Sequence, residues 1–245
     1  MDNELIKIAA YIGGGLAMGL GAIGSAVGEG LTAGDAINGT SRQPGSRDEL
    51  FRMMLVGQAL AESAGVFALV IAMLMVLRGE WTGAPLAIMG SLIGAGLSVG
   101  LGGIGVGVGC GMISARACDG LARNPESRKT MLLDMLIGQA MGTTPSIFAL
   151  VVSLVLLASG GGKMTWDASL RAGAAFVGSG LCMGLAAIGP GVGLGFCGAA
   201  HCDAVAARFT MQPVLRRVML IGAAITQNMA VLAFIVSFLL MGAAR

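Results

Sequence analysis

The chain has 245 residues, of which 56% are hydrophobic and only 11% charged, with 42 glycines and a formal net charge of +2. That composition excludes an ordinary soluble domain, and a charge so near neutral gives no indication of a nucleic-acid partner. The five cysteines, Cys110, Cys118, Cys182, Cys197 and Cys202, are odd in number and have no paired spacing, which argues against a disulfide framework.

The N-terminus, Met1-Asp2-Asn3-Glu4, has no basic stretch and no cleavage pattern, so the first apolar run is expected to be a retained helix rather than a signal peptide. That run, Ile8–Gly28, carries no charge and is dense in glycine at Gly13, Gly14, Gly15, Gly19, Gly21, Gly24 and Gly28. It ends in the segment IGSAVGEG, Ile23–Gly30, which contains Glu29. A polar loop with Arg42-Gln43-Pro44 follows. The next run, Met53–Leu77, is long enough to cross a bilayer and carries one charge, Glu62, within the segment GQALAESAG from Gly57 to Gly65. An ionisable group at that depth costs roughly 2.5–3.5 kcal/mol on insertion scales and is a marker of ion or proton handling.

The same order then recurs twice. Trp81–Ala115 contains IGVGVGCG at Ile104–Gly111, followed by a loop with Arg123-Asn124-Pro125 and the run Met135–Gly162 opening on Gly138-Gln139-Ala140. Ala172–Ala200 contains IGPGVGLG at Ile188–Gly195, followed by Met211-Gln212-Pro213 and the run Val218–Ala244 with Gly222-Ala223-Ala224. Matching the loop prolines offsets the second copy by 81 residues and the third by 88, so extra residues are expected in both the linker and the loop of the third. Each copy reads as an antiparallel hairpin of two spans. The predicted fold is an all-α membrane protein of six transmembrane helices, with hairpins at 1–80, 81–162 and 163–245. The copies run in the same direction, unlike the inverted repeats of many transporters.

The glycine-rich first helices predict an inner layer of closely packed backbones, with the bulkier second helices outside. Alternate glycines do not mark a strand here, because an open sheet edge is not tolerated in hydrocarbon. Nor do they mark a phosphate loop, since no strand precedes and no Lys-Ser/Thr follows. The three loops, 34–52, 116–130 and 201–217, hold ten Lys/Arg, whereas the termini and linkers hold five: Lys7, Arg78, Lys163, Arg171 and Arg245. The positive-inside rule therefore predicts cytoplasmic loops and both termini outside. Asp134 is expected at the membrane interface, where an acid favours the start of its helix. Cys197, His201 and Cys202 lack a fourth ligand and are expected to be packing residues rather than a metal site.

The chemistry concentrates in the first hairpin. Glu29 and Glu62 lie on antiparallel helices at similar depth, and two nearby buried carboxylates cannot both stay charged cheaply; one binds a proton, or both share a cation. Ser63 beside Glu62 and Gln58 one turn back add a hydroxyl and an amide. The positions equivalent to Glu62 are Thr143 and Gln227, so the chain repeats its scaffold three times and its carboxylate once. Thr143, Thr144, Thr226, Gln227 and Asn228 either complete a neighbouring site or bond along their own helices.

On the Gly-x-Gly-x-Gly segments, the Arg-Gln/Asn-Pro loops and GQALAESAG, the sequence resembles the proteolipid c-ring components of rotary ATP synthases and ATPases over nearly its whole length. The resemblance implies a ring of hairpins, homo-oligomeric or mixed, that turns in the inner membrane against a stator subunit bearing an essential arginine. Glu62 would carry H⁺ or Na⁺, with Glu29, Ser63 and Gln58 around it. For Na⁺ the ligands would be Glu62, Ser63 and Glu29. No other cofactor and no catalytic residue are implied. The loop residues Arg42, Gln43, Pro44, Arg123, Asn124 and Pro125 would face the central stalk. Sodium-translocating members resemble the Gln-Ala-x-Ala-Glu-Ser run, but they place a glutamine where Glu29 stands. The loss of two carboxylates resembles vacuolar-type and archaeal proteolipids and implies a rotor suited to ATP-driven pumping. Two other readings are a structural ring filler without transport and a small polytopic channel or transporter.

Overall fold

The computed structural model describes residues 2–78, 81–160, 162 and 164–243. Lys163 and Arg245 of the charge count, Met1 of the N-terminus and the domain limits at 80, 163 and 245 lie outside the described residues. All regular structure among the described residues is helical: α1 (Asp2–Arg42), α2 (Arg47–Leu77), α3 (Pro85–Arg123), α4 (Arg128–Gly142), α5 (Thr144–Ala158), α6 (Trp166–Ala207) and α7 (Gln212–Ala243). Six stretches are long and apolar enough to span a membrane, α4 and α5 together making the fourth.

The glycine-rich helices α1, α3 and α6 form a row with α3 in the middle, and α2, α4–α5 and α7 form a second row against it. The first row owes its closeness to missing side chains. A Cβ at Gly107 would stand 2.5 Å from the Ser25 nitrogen, and one at Gly191 2.6 Å from the Gly105 carbonyl carbon. Neither fits, so these helices meet backbone to backbone, as the glycine density predicts. The outer row presents exposed Val66, Leu69, Leu154, Ile225, Leu232 and Leu239, an apolar surface suited to hydrocarbon.

Each hairpin turns the same way. Gln43, Asn124 and Arg208 donate their N–H to the carbonyls of Gly39, Gly120 and Ala204, and each is followed by a single 3₁₀ turn. Phe209 therefore stands where Pro44 and Pro125 stand, and Pro213 lies one turn further on. The third copy is offset from the second by 84 residues rather than 88 (124 to 208), and its loop has no insertion. The sequence motif misleads because proline is tolerated anywhere in a helix's first turn.

Two further differences concern single residues. Asp134, the seventh residue of α4, is fully buried within the protein. Its carboxylate accepts from Arg216 Nε at 2.7 Å and Gln212 Nε2 at 2.9 Å, and His201 Nε2 lies 3.0 Å away. This ion cluster ties the second hairpin to the third and explains what His201 does. The fourth span also breaks. Thr143 forms a turn between α4 and α5 because Pro145 has no N–H to give the carbonyl four residues back, at Met141.

Candidate ion-binding site

Glu29 and Glu62 line one groove of about 240 Å³, together with Met18, Ala22, Ser25, Ala26, Gly65, Val66 and Leu69. Every lining residue belongs to α1 or α2. The groove is held in shape by Ser25, which donates to the Ala61 carbonyl at 3.2 Å and accepts from the Gly65 N–H at 3.1 Å. One buried hydroxyl thus links the two helices at the level of both carboxylates. Ser25 was legible in the sequence: it lies four residues before Glu29, on the same helix face, and is replaced by Val106 and Pro190 in the other copies.

The other two site candidates sit beside the groove rather than in it. Ser63 Oγ donates to Leu60 O at 2.7 Å within its own helix. Gln58 Nε2 donates to the main-chain carbonyl of Glu29 at 3.2 Å, fixing α1 against α2 one turn from Glu62. Neither side chain lines the groove.

In the second copy Cys110 stands for Glu29 and Thr143 for Glu62. Gln139, the counterpart of Gln58, is fully buried and donates to the carbonyls of both Cys110 and Gly57 at 3.0 Å, the latter across the boundary with the first hairpin. Thr143 Oγ1 donates to Ala140 O at 3.0 Å. In the third copy Leu194 stands for Glu29, and Gln227 donates to Met141 O at 2.6 Å. That is the carbonyl from which Pro145 withholds a donor. The two carboxylate-free positions are thus committed to main-chain hydrogen bonds, and Gln227 serves the helix break of its neighbour.

The loop residues form a ladder across hairpins. Arg42 pairs with Asp119, and Arg123 with Asp203 and, at 2.8 Å, Asp119. Arg128 reaches Glu49 at 2.5 Å. Gln43, Pro44, Asn124 and Pro125 form the exposed or half-exposed turns between them.

The family model for the ATP synthase c-type subunits matches the chain three times, at residues 12–75, 93–156 and 177–240. These matches repeat the offsets of 81 and 84 found in the fold. Among curated proteins, the ATP synthase c-type subunit of Alkaliphilus oremlandii is 42% identical over 73 residues, 30% of this chain and 82% of that protein. That of Natranaerobius thermophilus is 40% identical over 81 residues, 33% of this chain and 93% of its own. That of Campylobacter concisus is 37% identical over 82 residues, 34% of this chain and 82% of its own. Each relative matches about one hairpin's length of this chain.

Proposed function

This chain belongs to the family of ATP synthase c-type subunits, and from that premise we propose that it is a rotor-ring component with one ion carrier, Glu62, for its three hairpins. The chain is an integral, multi-pass membrane protein of three fused family repeats. The supporting observation is the asymmetry of the copies. Glu29 and Glu62 share an open groove, while the equivalent side chains of the other hairpins carry no carboxylate.

In this reading Glu62 takes up an ion where the groove meets water, carries it round as the ring turns, and releases it opposite a stator arginine. Glu29 holds the ion with it. The polar loops lie in the cytoplasm with Arg42, Gln43, Pro44, Arg123, Asn124 and Pro125 against the central stalk, and catalysis resides in other subunits. Two carboxylates sharing one groove suit a shared proton, since a protonated carboxyl needs one acceptor. The Na⁺ reading is kept by the GQALAESAG segment alone.

Carbodiimide labelling in membranes tests the proposal. Glu62 is expected to be modified, with Na⁺ giving no more protection than K⁺. Protection specific to Na⁺ would assign sodium, and absence of labelling would leave a structural filler.

A further inference from the structure

A second groove, of about 250 Å³, lies between the outer helices of the first two hairpins at their loop end. Arg52 of α2 lines it together with Arg128 and Lys129 of α4, and these three cations share one carboxylate, Glu49. The floor is apolar, made by Met53, Val56 and Leu132. Arg128 pairs with Glu49. Among the described residues no ion pair engages Arg52 or Lys129. Two cations thus flank an apolar floor.

Helix electrostatics does not ask for them there. The first turn of α2 carries Asp48 and Glu49, as the helix dipole favours, whereas α4 begins on Arg128 and Lys129 with no acid in its first turn. The scaffold does not need them either. By the offsets of 81 and 84, Arg52 corresponds to Leu133 and Lys129 to Pro213 at the seam between the second and third hairpins. At that seam Asp134 takes the place of Met53 and Arg216 that of Leu132, and the two are paired at 2.6 Å. The protein supplies its own buried anion to the second seam. At the first seam an apolar methionine stands in that position, beneath the excess of positive charge.

The depth of the groove selects the anion. Arg52 immediately precedes the apolar run that begins at Met53, and Val56, one turn further on, is exposed on the outer row. The cations therefore stand where a bilayer places its phosphates, and the floor stands where the hydrocarbon begins. A soluble anion satisfies the mouth and leaves the floor uncovered. A zwitterionic lipid covers the floor but brings a cation of its own to the mouth.

We propose that this groove binds one anionic phospholipid of the loop-side leaflet. Its phosphate lies between Arg52 and Lys129, and the first carbons of an acyl chain lie over Met53, Val56 and Leu132. The bound lipid bridges α2 and α4 on the outer face of the protein.

Native mass spectrometry of the full chain, extracted in mild detergent from nanodiscs of equal phosphatidylglycerol and phosphatidylcholine, tests the proposal. One phosphatidylglycerol per chain is expected to be retained in preference to phosphatidylcholine. R52Q/K129Q, which changes two exposed side chains, should lower that preference about tenfold. R208Q/R217Q, which removes the same charge from the third hairpin, should leave it unchanged. V56W fills the floor and should expel the lipid with every cation still in place. Equal retention of the two lipids by the wild-type chain would overturn the proposal, as would undiminished preference in R52Q/K129Q. An equal loss in R208Q/R217Q would reduce it to general attraction between charges and overturn the site. Retention by V56W would remove the acyl chain from the groove. Glycerol 3-phosphate, the headgroup without its chains, should not compete; displacement of the lipid by it would make this a site for a soluble anion and overturn the lipid assignment.

Discussion

Exchanging Glu62 for glutamine keeps the side chain's size and removes the charge that carries the ion in the proposed reading. E62Q is expected to abolish carbodiimide labelling and bring ATP-driven ion uptake in vesicles down to background, while E29Q leaves Glu62 open to modification. Residual ion uptake in E62Q would move the carrier to Glu29. Asp134 marks the other cost of a single charge. Replacing it with alanine leaves the buried His201 and the partly buried Arg216 without their anion, and about 3 kcal/mol of stability should be lost. Thermal unfolding of the detergent-solubilised chain measures this loss. Glu62 and Glu29 were legible as charges in apolar runs. The Asp134 cluster was not, because Asp134 meets Gln212 and Arg216 only across 78 and 82 residues of sequence.

At the scale of helices, the break between α4 and α5 and the side chain that mends it should act as a pair. Q227L removes the donor to Met141 O beside Pro145, and about 1–3 kcal/mol of stability should go with it. P145A restores the helical N–H, so the double variant P145A/Q227L should recover most of that loss in the same unfolding assay. Additive effects would mean that Gln227 does not serve the break. A proline in an apolar run signals such a break, yet Pro190 lies inside the unbroken α6. Its position alone did not say which proline would interrupt its helix. The hairpins and their inner and outer layers were legible from glycine density and charge-free length. The third loop's register was not, since Pro213 imitates the loop proline while Phe209 holds its place.

For the molecule as a whole, the two seams inside the chain are braced by ion pairs that its free ends lack. Arg42–Asp119 and Arg123–Asp203 brace the internal seams at the loop end, and the equivalent positions at the two ends of the chain are Ala207 and Asn38, which would meet between copies in a ring. Introducing A207R and N38D together should add one exposed ion pair per chain, about 0.2–1 kcal/mol each. The summed effect is expected as greater resistance of the ring to dissociation by detergent, lost at high salt. Fusion fixes how many hairpins accompany each carboxylate, which in the proposed reading sets how many ions move per rotation. Counting covalent carbodiimide adducts against the intact mass of the purified ring tests this most directly. The expected result is one adduct on Glu62 for every 24.5 kDa chain and no other proteolipid in the ring. One adduct per hairpin, from single-hairpin proteolipids sharing the ring, would contradict it.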